Sequence, residues 1–204
     1  METRISKIIS FIFQPLLMPT LAFIIMLQMP VYFAVVIPAN ARWMLVGVVF
    51  FTTFFLPATF ILFMFRKGMI SSLYIESREE RAIPYSVTIV FFILAYYLLK
   101  EIHLSPVYSY FIVGAIILAI AVLLINFFWK VSSHMVAVGA LTGLVIGLSY
   151  YLGMLFLNLI VATILLSGVV GYVRLRLSAH TPAQVYFGFL LGALLEASLF
   201  IINY

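Results

Sequence analysis

Two of the three histidines stand beside serines and cations, in a pattern suited to phosphate chemistry. The first closes a short run that begins with a cation and contains two serines: Lys130-Val131-Ser132-Ser133-His134. The second, His180, follows Arg174 by six residues. Histidine is well suited to nucleophilic or acid–base work near neutral pH. Both histidines lie at the start of an apolar segment, and helix N-termini attract phosphate, so together they predict a phosphate site.

A second polar segment, 76–84, holds much of the chain's remaining charge and reads ESREERAIP. Arg78 and Arg81 are candidate phosphate ligands. Glu80, or one of its neighbours Glu76 and Glu79, is a candidate carboxylate that orients a histidine. The alternative interpretation is a solvated loop whose charges pair with one another.

The elements that must position these residues are long apolar blocks. Of the 204 residues, 66% are apolar and 8% are charged, whereas about a quarter are charged in soluble domains. A helix needs about 20 apolar residues to cross a bilayer. Seven segments qualify: 5–37, 42–65, 83–100, 106–129, 134–152, 154–173 and 183–203.

The predicted fold is therefore all-α, a polytopic transmembrane helix bundle that forms a single domain over 1–204. Six core spans occupy about 42–204. They are preceded by an N-terminal segment, 5–37, which Pro15, Pro19 and Pro30 are expected to kink or break. The protein is expected to be a multi-pass integral membrane protein, in the inner membrane of a bacterium.

Threading these segments through a bilayer places both histidine motifs on one face, together with the N-terminus and the 66–83 loop. Most of the 11 Lys and Arg residues fall on this face: Arg4, Lys7, Arg66, Lys67, Arg78, Arg81, Lys130, Arg174 and Arg176. The positive-inside rule would make it cytoplasmic. Because the cations alternate with apolar blocks, the net charge of +5 favours anionic lipid or a phosphate-bearing substrate over nucleic acid.

Small residues recur at four-residue spacing in two of the later spans, which lets helix backbones approach closely in a bilayer. The residues are Gly139, Gly143 and Gly147, then Gly188 and Gly192. Glu196 lies one turn beyond the second stripe. An ionisable group at that depth is a functional candidate, but a protonated Glu bonded to a neighbouring helix, through Asn126 or Asn158, is the favoured interpretation.

The two histidine motifs resemble those of the type 2 phosphatidic acid phosphatase superfamily of membrane lipid phosphatases. That family has P-S-G-H at the start of one helix and S-R-x5-H-x3-D before the last helix. Ser132 and His134 match the first motif, and Arg174 and His180 match the spacing of the second. The resemblance covers about 106–203, roughly the last half of the chain.

The resemblance implies a role for each matching residue. His180 would be the nucleophile that forms a phospho-histidine, and His134 the general acid. Phosphate would be held by Arg174, by Lys130 and by the chain near Ser132 and Ser133. Neither a metal nor another cofactor is implied, and the partners would be membrane lipids and a lipid-linked phosphate substrate. The family's site lies on the outer face of the inner membrane, whereas the count of Lys and Arg residues places this site on the cytoplasmic face. The orientation of the chain in the membrane therefore stays open.

The chain departs from the family pattern at several positions. Gln184 stands where the family has the Asp that orients the nucleophile, and Val173 stands where it has the serine before the arginine. The K-x6-R-P motif is absent from its usual place, which Arg78 and Arg81 are candidates to fill. Two functions fit this resemblance: a divergent lipid phosphatase, or an inactive member of that fold that binds lipid or serves as a subunit of a membrane complex. A transporter is a further alternative, indicated by the proline-broken first segment and by Glu196.

Overall fold

The computed structural model describes residues 2–72 and 79–203, and all regular structure in those residues is helical. The predicted polytopic helical bundle is therefore confirmed, and the chain is a multi-pass membrane protein. Ten α-helices follow one another: α1 (Glu2–Ile12), α2 (Met18–Gln28), α3 (Tyr32–Val35), α4 (Ala39–Phe50), α5 (Leu56–Arg66), α6 (Ala82–Glu101), α7 (Pro106–Asn126), α8 (Ser133–Tyr151), α9 (Leu157–Arg176) and α10 (Pro182–Ile202).

Within the described ranges, seven helical stretches are long and apolar enough to cross a membrane. Five are built on the single helices α6 to α10, the first of them extended at its start by a 3₁₀ turn, Glu79–Arg81. The other two are composite: Arg4–Gln28 joins α1 to α2, and Ala39–Arg66 joins α4 to α5 through a π-helical turn, Phe51–Phe55. Pro57 follows that turn and has no N–H for the helix ladder, which accounts for the local change of winding.

The N-terminal segment breaks where its first proline predicts. Gln14 has an extended backbone (φ −69°, ψ 148°) and is followed by a 3₁₀ turn, Pro15–Leu17, since a residue before proline avoids the α region. Beyond the break, α2 lies inside the bundle, with Phe23 fully buried against Tyr108 and Phe111 of α7. The segment that the sequence set apart from the six core spans is thus part of the core.

The centre of the bundle is α8, of which 72% is buried, against 28–33% for the other spans. Its glycine stripe packs directly on α10. A Cβ atom added at Gly139 would collide with the backbone carbonyl of Phe189, and one added at Gly143 with that of Ala193. In the other direction, a Cβ atom at Gly192 would collide with the backbone carbonyl of Val136. The predicted packing role of both stripes is confirmed, and side chains larger than hydrogen are excluded there.

Glu196 is fully buried on α10, and its carboxyl group lies against Gly114 of α7. Neither carboxyl oxygen has a hydrogen-bond partner among the described residues. The predicted bond to Asn126 or Asn158 is therefore wrong. Gly114 instead provides the space for the carboxyl group, because a Cβ atom there would overlap it.

We expect Gly192→Ala to destabilise the bundle by about 1–3 kcal/mol, because the new methyl group must push α8 and α10 apart. Gly168→Ala is the matched control, since a Cβ atom at this exposed α9 position meets nothing within 4 Å. The free energy of unfolding of both variants is measured by titrating the micelle-solubilised protein with denaturing detergent and monitoring helix content by circular dichroism. Equal stability of the two variants would contradict the close-contact account.

Candidate functional site

The two histidine motifs meet at one end of the α8–α10 pair. Ser132 has an extended backbone and is followed directly by α8, while α10 begins after the N-cap residue Thr181. A Cβ atom added at Gly188 of α10 would lie 2.9 Å from the carbonyl oxygen of Ser132. The start of α8 therefore packs against the second turn of α10, and both motifs lie at the same end of the helix pair.

Gln184 fixes the tautomer of His180. Its side-chain oxygen, Oε1, accepts a hydrogen bond from the backbone N–H of Thr181 (3.2 Å), and the Thr181 hydroxyl accepts one from the Gln184 N–H (3.4 Å). The same Oε1 lies 3.0 Å from Nδ1 of His180. Because Thr181 N–H can only donate, the atom facing it must be the oxygen, and Nδ1 must then carry the proton. The neutral imidazole therefore has its lone pair on Nε2.

The environment of His180 keeps its imidazole neutral at neutral pH. The side chain is buried, and burial lowers its pKa to about 4. The hydrogen bond that His180 donates to Gln184 raises the pKa, while the positive charges of Arg174, Arg81 and Lys130 lower it further. A neutral imidazole with a free Nε2 is the form that attacks an electrophile.

His134 and Arg174 meet on a residue that the sequence did not indicate, Ser10 of α1. Nη1 of Arg174 donates to the Ser10 hydroxyl at 2.7 Å. Nε2 of His134 lies 3.0 Å from the Ser10 carbonyl oxygen and 3.3 Å from its hydroxyl. Sequence reasoning missed Ser10 because it lies more than 120 positions from His134, and its motif-free surroundings carry no signal except a polar face on α1.

Two polar atoms beside this cluster are buried without a hydrogen-bond partner among the described residues: Nε of Arg174 and Oγ of Ser132. A buried donor without a partner is costly. An oxyanion is the kind of ligand that suits each of these donors, since guanidinium and hydroxyl groups donate readily to phosphate oxygens. The residues present therefore fit a phosphate group.

A solvent-open pocket of about 570 Å³ gives access to His180. Lys130 and Gln184 also line it, along with residues 175, 178–179 and 181–182. Arg81, at the start of α6, lies close enough to influence His180, His134 and Arg174 electrostatically. The structure thus brings together both histidines and three of the predicted phosphate-binding cations.

Other candidate residues have different partners. The Ser133 hydroxyl is 2.6 Å from the hydroxyl of Tyr85 and so ties α8 to α6. Oε2 of Glu80 accepts bonds from the backbone N–H and the hydroxyl of Ser71, at 3.1 and 2.9 Å. The side chain in contact with the His180 ring is Gln184, so the orienting position next to Nδ1 is filled by an amide. Arg78 lies outside the described residues.

Comparison of the chain with protein-family models, with curated proteins and with solved structures finds no match.

Replacing Gln184 with Glu should raise the pKa of His180 from about 4 toward the ordinary value near 6.5, because a carboxylate of the same length keeps both hydrogen bonds and stabilises the imidazolium. The pH dependence of His180 labelling by diethyl pyrocarbonate, read by mass spectrometry, measures this pKa. Gln28→Glu, at an exposed position at the opposite end of the bundle, adds the same charge as a control. An identical labelling profile in both variants would refute the assigned contact.

Proposed function

We propose that this chain is a divergent membrane lipid phosphatase-like protein of the bacterial inner membrane. It hydrolyses or transfers phosphate on a lipid phosphate or diphosphate through His180. The observation that supports this most directly is the contact of Nδ1 of His180 with Gln184, which leaves the lone pair on Nε2, in a pocket shared with Lys130 and near Arg174 and Arg81. Cations neutralise an incoming phosphate and stabilise the charge of its transition state.

In the proposed reaction each group has one role. Nε2 of His180 attacks phosphorus, the P–O bond to the lipid alkoxide breaks, and the imidazolium form of His134 gives a proton to the departing oxygen. Phospho-His180 and a lipid alcohol result. Water then attacks phosphorus, His134 takes back a proton, and the P–N bond breaks to release inorganic phosphate. Throughout, Arg174 and Lys130 hold the phosphate oxygens, and Gln184 keeps Nδ1 protonated.

A second candidate function is lipid binding without turnover, alone or as a subunit of a membrane complex. Two observations favour it: the amide of Gln184 gives the imidazolium no charge stabilisation, and Ser10 occupies hydrogen bonds of Arg174 and His134. In that case phosphate would bind and dissociate unchanged. The two functions differ in whether phosphorus ever becomes bonded to His180.

We expect His180→Ala to lose about 10³-fold or more of the phosphate release from phosphatidic acid, because loss of a nucleophile removes the covalent route. Phospho-His180 should be trapped in the wild-type protein quenched at alkaline pH and analysed by mass spectrometry. His103→Ala is the matched control. His103 is exposed, lies at the other end of the bundle and contacts the backbone of Glu101.

Three results are informative. Turnover by His180→Ala at the wild-type rate would rule out the mechanism. Wild-type protein that binds phosphatidic acid without releasing phosphate, and without a phospho-histidine, would establish the binding function instead. A loss of turnover equal in both histidine variants would trace the effect to folding.

A further inference from the structure

The first helix has one face for the protein and another for lipid. Ser6 is buried and Ser10 half-buried, one turn apart on the inward face. The outward face carries Ile5, Ile8 and Ile12, each more than half exposed. Lys7 is also exposed, on the edge between the two faces. Such a helix suits the boundary between a bundle and the surrounding bilayer.

The end of α1 presents acceptors to the cationic site. The last bond of its helical ladder runs from Phe13 N to Ile9 O, and the extended backbone of Gln14 leaves the next carbonyl, that of Ser10, for His134. Helix C-termini also carry partial negative charge. A carbonyl oxygen and a hydroxyl thus occupy the positions on His134 and Arg174 that phosphate oxygens would take.

The open pocket and the buried cluster differ in their access. His180 lines the pocket, whereas His134 and Arg174 are bonded to Ser10 and are not among its lining residues. A substrate that reaches His180 must also contact His134 and Arg174, and both of these side chains are hydrogen-bonded to Ser10. The break at Gln14 and Pro15 separates α1 from α2, so a movement of α1 would not require α2 to unwind.

We propose that α1 is a lid over His134 and Arg174, that Ser10 occupies the place of a phosphate oxygen, and that a phosphate monoester entering from the bilayer displaces it. The identity of the ligand rests on the proposed function, whereas the existence of the lid does not. Since α1 faces lipid, its outward movement opens the cluster sideways to the membrane.

The lid can be tested without a substrate, by labelling His134 with diethyl pyrocarbonate and quantifying the product by mass spectrometry. Ser10→Ala removes the hydroxyl that binds Arg174 and should raise the labelling rate severalfold. Ser10→Asp places a carboxylate against Arg174 and should lower it. Ser6→Ala, one turn away on the same face, is the matched control and should leave it unchanged. Equal rates of His134 labelling in the wild type and all three variants would overturn the proposal that α1 is a lid.

Binding in phosphatidylcholine nanodiscs that contain phosphatidic acid tests the ligand. Ser10→Ala should bind phosphatidic acid about tenfold more tightly, since loss of one charged hydrogen bond favours the open state by about that factor. Ser10→Asp should bind it at least about tenfold more weakly. A tighter complex of wild type than of Ser10→Ala would instead make Ser10 a positioning residue and overturn the proposal.

Glycerol 3-phosphate, added from water, separates the two routes of entry. If Ser10→Ala binds phosphatidic acid more tightly but glycerol 3-phosphate no more tightly than wild type does, the ligand enters from the bilayer. An equal increase in affinity for both ligands would overturn entry from the bilayer. If no protein binds either ligand while His134 labelling still follows the residue at position 10, the proposed function fails and the lid stands.

Discussion

The backbones of α8 and α10 touch along their glycines, and the position of both histidines depends on this contact. Gly139, Gly143 and Gly192 each face a carbonyl oxygen of the other helix at a distance that no Cβ atom could share. Without a hydrophobic driving force between helices in lipid, such close packing is what holds a pair together. His134 lies in the first turn of α8 and His180 just before the N-cap of α10, so the helix pair positions both side chains.

The remaining helices add charge and cover to that unit. Arg174 comes from the end of α9, Lys130 from the loop after α7, and Arg81 from the start of α6. Each is a long side chain on a less buried element, and each contributes a cation near His180. The N-terminal helix contributes the opposite, two hydrogen-bond acceptors on Ser10. The two histidines thus lie among cations, and α1 contacts His134 and Arg174 through Ser10.

The sequence was sufficient for the spans, the break before Pro15 and the glycine contacts, because each follows from local apolar length or residue size. It also indicated that His134, His180, Arg174 and Lys130 share one end of the bundle. Ser10 and the contact between Glu196 and Gly114 depend on how distant helices rotate against each other, which local pattern does not encode. Glu80 shows the same limit: its charge suggested a role, and its contact with Ser71 came only from tertiary structure.

Gln184 joins two requirements in a single atom. Its Oε1 caps the start of α10 through Thr181 and holds the proton on Nδ1 of His180. In evolutionary terms, a substitution at this position would alter the helix cap and the imidazole tautomer together. An acceptor here would stabilise the start of α10 even in a lineage without the proposed reaction. Retention of Gln184 among descendants would therefore record the helix cap as much as the chemistry.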